Sequence, residues 1–282
     1  MDKKELISRF TGHPKLQELF LVLEGGGELD YHLKGHVGSS LALIAAASFL
    51  RSGTDHWFVL HDQEAAAYFY NDLESLFDES RKDLSKKRVL YFPASWRRQF
   101  VPGQRDNDHI LQRTEVLNRI GTNRMKSVVV TYPEALVEKV AGRDEIREHM
   151  MMLRTGEAVD LDFVADLLLE YGFDRADFVV QPGQFAIRGG IVDVYSYSGE
   201  YPFRIEFSGN RIDSMRTFDP VSQLSRDRMG SVVILPDVES RTDLASRKGL
   251  PEVIGSGAVW WLGGKQFIGE RMTAIFESIG SE

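Results

Sequence analysis

Hydrophobic and polar positions along this chain change their period near residue 143, and the change divides it. Up to Gly142, short solidly apolar runs alternate with amphipathic stretches. Trp57–His61, Val89–Phe92 and Ser127–Thr131 are apolar runs of the kind buried on both faces of a parallel sheet. Ser40–Leu50 predicts a helix of small residues after a Gly/Ser turn at Gly35–Ser39. Glu64–Leu76 predicts a second helix, with Ala65, Phe69, Leu73 and Leu76 on one stripe. Ile110–Ile120 predicts a third, and Pro133 starts a fourth. Strand and helix in alternation imply a parallel α/β layer.

Beyond Arg143 the pattern becomes that of a helix followed by a small antiparallel sheet. Asp160–Tyr171 predicts the helix, with Asp160 as N-cap and Gly172 as its stop. Then Phe185 and Ile187 alternate with Ala186 and Arg188, and Phe203, Ile205 and Phe207 with Arg204 and Glu206. Such alternation means one buried and one wet face. Gly189-Gly190 and Ser208-Gly209-Asn210 mark turns or bulges. The last stretch, with a strand at Val259–Leu262 and a helix at Gln266–Ile279, is too short for its own core and is expected to return to the first unit. The expected division is a parallel α/β domain over 1–144, an inserted α+β domain over 145–236, and a return segment over 237–282 that looks truncated.

Charge narrows the function classes. With 34 Lys+Arg against 42 Asp+Glu the chain carries a net −8, which argues against a protein that coats DNA. The absence of cysteine removes disulfides, thiolate metal sites and a cysteine nucleophile, and suits a reducing cytoplasm. The longest apolar stretch, Leu41–Leu50, is far short of a bilayer span, and no membrane partner is expected.

Catalytic chemistry is hard to find. The turn Gly35, Gly38, Ser39, Ser40, Leu41, Ala42 is laid out like a phosphate-binding loop, but Ser40 stands at the second glycine, Leu41 at the lysine and Ala42 at the hydroxyl. Without the lysine and the Mg²⁺ ligand it reads as a plain strand-to-helix turn. No D-E-x-x box follows a buried strand, as a helicase motor would need. His56 and His61 flank a strand and read as surface residues. Arg81, Lys82, Lys86, Lys87 and Arg88 read as the solvated end of a helix, and Trp96–Phe100 as a loop packing its own aromatics. The informative strip is the wet face of the second sheet. Arg188, Arg204 and Glu206 on it suit a protein-docking surface; the alternative, which sequence physics alone favours slightly, is an ordinary solvated face with a local Arg–Glu pair.

The run Gly183–Asp193, then Pro202–Phe207, Ile212–Arg216 and Phe218–Pro220, resembles the bacterial transcription-repair coupling factor (Mfd) family, and more distantly the excision-repair helicase UvrB. Gly189-Gly190 and Thr217-Phe218-Asp219 leading to Ser222-Gln223 follow the former more closely. The resemblance implies the N-terminal UvrB-like module of that family: a degenerate helicase-like α/β domain that has lost ATP binding, with an inserted domain that binds UvrA. Carried over by position, the UvrA-facing residues are Arg188, Arg204 and Glu206, with Ser208 where relatives can place an aromatic and Ala186 where UvrB has an arginine. It further implies that the polymerase-binding domain and the ATP- and Mg-dependent motor lie beyond residue 282. RNA polymerase and DNA would then be partners of those parts, and this chain would need no cofactor. The competing expectation is a UvrB-type fragment that retains damaged-DNA binding or residual ATPase activity.

Overall fold

A computed structural model describes residues 3–25, 31–95, 107–122, 125–243 and 245–279. Four strands form a wholly parallel sheet in the order β14-β1-β3-β2. They are β1 (Asp55–Val59), β2 (Val89–Tyr91), β3 (Val128–Thr131) and, from the far end of the chain, β14 (Ala258–Leu262). The apolar runs are strands because both faces are covered: Trp57, Phe58, Val59, Val89, Leu90 and Val128–Val130 are all buried. Helices Ser40–Ser52, Gln63–Leu76 and Asn107–Thr122 supply much of that cover. Ala42, Ala45, Ala46 and Ala47 let the first of these lie close against the core.

After the short strand β4 (Lys139–Val140), the chain leaves this unit through β5 (Met151–Arg154). A second core then forms. The helix Leu161–Glu170 buries Val164 and Leu168, and the Asp160 carboxylate caps it by accepting from the Asp162 N–H. Six strands follow: β6 (Asp174–Arg175), β7 (Gln184–Arg188), β8 (Ile191–Val194), β9 (Phe203–Ser208), β10 (Arg211–Phe218) and β11 (Ser225–Met229). They lie in sequential order and are antiparallel apart from the short β6–β7 pair. Phe185, Val192, Val194, Phe203, Ile205, Ile212 and Met215 point to the helix side. The chain returns through β12 (Ser231–Ile234), paired antiparallel with β5, then β13 (Lys248–Gly249) beside β4, and finally β14 beside β1.

The architecture is therefore a parallel α/β layer carrying an inserted α+β unit. Polar links between the units include Lys87 Nζ, 3.8 Å from Glu200, and Arg241, which donates to the Glu170 carbonyl at 2.5 Å. Among the described residues no helix is long and apolar enough to cross a membrane.

Three local expectations need correction. His56 is fully buried rather than at the surface. Trp261 Nε1–H donates to its Nδ1 at 3.2 Å, and its Nε2 lies 2.7 Å from Ser52 Oγ, so the neutral imidazole ties β14 to β1. Burial pulls its pKa down to about 4. His61 is exposed, as read. Of the basic cluster, Arg81, Lys82 and Lys86 are exposed, but Lys87 is buried against Glu74, and Arg88 is half-buried where the fully buried Glu79 carboxylate accepts from the Arg88 and Val89 N–H groups, Arg88 Nε and Lys82 Nζ. Lys87 and Arg88 are thus drawn inward by two buried carboxylates, while the rest of the cluster is solvated as expected. Lastly, the described residues just before the turn, 31–34, form no strand.

Candidate functional site

Cross-strand register sets the geometry of the sheet face away from the helix. Ala186, Asp193, Arg204, Arg216 and Arg228 stand opposite one another on β7 to β11, forming one row across five strands. Arg188, Ile191, Glu206 and Ser214 form the next. A bulge between Ile212 and Ser214 brings the second row into line by placing Ser214 against Glu206. At the turn between β7 and β8, Gly189 has φ +59, and a Cβ on Gly190 would lie 2.9 Å from the Phe207 carbonyl oxygen. The glycine pair therefore lets the Arg188 turn lie flat on β9.

Asp193 is the hub. It is 1% exposed, and its carboxylate takes two hydrogen bonds from Arg204 (Nε at 2.7 Å, Nη2 at 2.9 Å) and one from Arg188 Nη2 at 2.5 Å. A carboxylate buried to that degree needs such partners to offset its lost hydration. Arg204 also donates to the Gln223 carbonyl at 3.2 Å and lies over the Phe218 ring at 4.4 Å. Glu206 accepts from Ser214 Oγ at 2.5 Å and from Arg216.

These facts revise the expected site. Arg188 and Arg204 do share a face, but their strands are not neighbours; β8 lies between them, and Asp193 joins them. The Arg204 side chain is 17% exposed rather than solvated, whereas that of Arg188 is 42% exposed. The face is not bare either: Val179, Ala186, Tyr195 and Phe218 form a small apolar cluster on it. Ala186 is buried in that cluster. Ser208 is exposed at the β9–β10 turn and contributes no apolar surface. Phe207 is half-buried against the second core. Sequence reasoning did not single out Asp193 or Arg216. The available signal was an aspartate within an otherwise apolar strand, Ile191–Val194, which demands a cationic partner.

The Gly35–Ala42 turn holds no comparable arrangement. The Ser40 N–H donates to the Val37 carbonyl, and the Val37 N–H donates to Ser40 Oγ, so the turn closes on itself. Leu41 packs against the core and Ala42 is fully buried. The carboxyl ends of the parallel strands, where α/β sheets usually take ligands, hold a buried ion cluster. Arg113 binds Glu239 through Nε and Nη2 at 2.5 and 2.6 Å, donates to the Pro93 carbonyl at 2.6 Å and lies 3.0 Å from Glu138. Trp96–Phe100 lies outside the described residues.

Comparison with known proteins places the hub inside a recognised segment. Residues 151–239 match the UvrB interaction domain family. The chain is 29% identical over 208 residues to the transcription-repair-coupling factor of Bacillus subtilis (strain 168), covering 73% of this chain and 17% of that protein. The corresponding protein of Escherichia coli (strain K12) is 24% identical over 209 residues, 74% of this chain and 17% of the relative. UvrABC system protein B of Thermosipho africanus (strain TCF52B) is 22% identical over 211 residues, 73% and 32% respectively. The chain thus matches about one sixth of the length of the coupling factors. The similarity to the coupling factors, over about 208 residues, runs well beyond the segment 151–239.

Proposed function

We propose that this chain is a recruitment module of nucleotide excision repair that docks UvrA through the outer face of the six-stranded sheet. The observation that carries the reading is the Asp193 hub: a buried carboxylate that fixes two arginines on one face, within the segment matching the UvrB interaction domain. A fixed guanidinium with unused N–H groups suits bidentate recognition of a partner's carboxylate, and little side-chain entropy remains to be lost on binding. Arg188 presents such a group; Arg204 holds the hub, and Glu206 with Arg216 extends the charged surface. Ser208 borders this surface at the β9–β10 turn.

The whole-length coupling factors would couple this docking to a stalled RNA polymerase on DNA, through parts that this chain does not match. The module itself would bind no nucleotide and need no cofactor, since Leu41 and Ala42 occupy the positions that hold phosphate and Mg²⁺ in a working loop. Titration calorimetry with UvrA tests the reading. Arg188→Ala should weaken binding at least tenfold, in line with the loss of one charge-assisted contact, while the thermal midpoint stays within about 2 °C. An unchanged affinity would overturn it.

A further inference from the structure

Beside the arginine hub, two loops hold apolar side chains outward on a scaffold that is unusually well tied down. In the segment 176–183, Val179 is fully buried beneath the sheet-face cluster, while its neighbours Phe178 and Val180 are exposed. The Gln184 side-chain oxygen pins this segment by accepting from the Val180 and Gln181 N–H groups. Phe178 lies under the Arg188 guanidinium, 5.1 Å from it, and borders an open hollow with Arg175, Asp177 and Ile187. In the turn 219–224, Val221 is 92% exposed and Leu224 69%. The Asp219 carboxylate holds this turn through the Val221 and Ser222 N–H groups, and the Asp219 N–H donates to the Leu224 carbonyl.

Gln223 locks the two loops together. It adopts φ +61, a left-handed conformation that a side chain enters at a cost. Its amide donates to the Val179 carbonyl of one loop and the Pro220 carbonyl of the other, while its own carbonyl accepts from Arg204. The hub that positions the arginines therefore also positions Phe178, Val180, Val221 and Leu224. Single exposed hydrophobes are ordinary, but four of them on one cross-braced edge are the anatomy of an interface core beside a charged rim.

Resting on the functional reading above, we infer that these two loops supply the apolar anchor of the UvrA contact, with Phe178 and Leu224 as its main side chains. Charge selects the occupant. The two face rows carry four arginines against two carboxylates, in a chain of net −8. The complementary surface is an apolar patch bordered by carboxylates, and a second copy of this arginine-rich face would repel it.

The test is calorimetry of the full chain against UvrA at 0.1 and 0.5 M NaCl, with thermal unfolding and light scattering on each variant. Phe178→Ser should weaken binding at least tenfold. The pair Val221→Ser and Leu224→Ser, which leaves the Arg188 stacking partner in place, should weaken it about tenfold, with midpoints within 2 °C of wild type. Both losses should persist at high salt, where the loss from Arg188→Ala shrinks. Wild-type affinity in both apolar variants, alongside weakened binding by Arg188→Ala, would overturn this inference and leave the functional reading standing. Failure of the wild-type chain to bind UvrA would overturn both. A wild-type dimer that the apolar variants convert to monomer, with UvrA affinity unchanged, would assign the loops to self-association and overturn it as well.

Discussion

Arg113 in the parallel unit and Arg204 in the inserted unit have nearly the same surroundings. Each grips a carboxylate with Nε and Nη2, each donates through Nη1 to a backbone carbonyl, and each lies over a phenylalanine ring, at 4.3 Å for Phe92 and 4.4 Å for Phe218. They differ in what shares the anion cluster. Around Arg113 a second carboxylate, Glu138, closes the arrangement, and the guanidinium is buried. Around Asp193 the additional member is a second cation, Arg188, which reaches into solvent. One arrangement fastens helix Asn107–Thr122 to the return segment; the other leaves a guanidinium facing solvent, as the proposed docking surface requires. If the proposed docking holds, outward charge distinguishes a docking site from a clasp better than the ion pair itself does.

The sharpest way to break this comparison is to remove each arginine in turn. Arg113→Ala leaves Glu239 and Glu138 in a closed site and should cost about 3–5 kcal/mol in chemical denaturation. Arg204→Ala leaves Asp193 with Arg188 alone and should cost about 2–3 kcal/mol, besides weakening UvrA binding. Arg188→Ala should cost less than about 1 kcal/mol and still weaken binding. If Arg188→Ala and Arg204→Ala were equally destabilising, the inserted unit would be a clasp like the other.

A pH titration sharpens the contrast within the parallel unit. The folded-state pKa of His56 lies near 4, below its unfolded value of 6.5, so its stabilising contribution is complete above pH 6.5 and falls as pH drops toward 4. By pH 4 the loss should reach about 3 kcal/mol. Glu115 acts in the opposite sense, because burial pushes it up to about 7 despite Arg119. The measurement is therefore the difference between wild type and His56→Gln in urea unfolding at pH 7 and pH 4.5. The variant should lose less stability on acidification; equal losses would show that His56 is not held neutral. The smallest expected effect is that of nucleotide. Millimolar Mg-ATP should leave the thermal midpoint unmoved, and micromolar affinity by calorimetry would restore the ATPase reading.

Legibility in the sequence followed the range of the forces involved. The strands of the parallel sheet could be read because burial on both faces is a property of consecutive residues. Arg204 and Glu206 could be assigned to one face because period two is local. Asp193 could not be placed, since its partners lie on β7 and β9 and depend on register across three strands. Arg204 seemed solvated for the same reason: residues 219–224 fold back over it, and nothing near position 204 announces them. His56 is the clearest case, its burial being completed by Trp261, about two hundred positions away. Lys87 was misread because charged residues usually indicate solvent, whereas here the Glu74 carboxylate draws it inward.

The β1–β14 pairing has a further consequence in the order of synthesis. Asp55 aligns with Ala258, so one side of β1 has no neighbour until about two hundred further residues have been made. The inserted unit closes earlier, because its second core draws only on residues between Met151 and Ile234. On a ribosome the later-encoded unit can thus be complete while the N-terminal sheet still waits for its edge strand. Closing so long a loop is slow, and the waiting edge is open to wrong partners. On this ordering the parallel unit is expected to limit the yield of folded protein, with the inserted unit finished first.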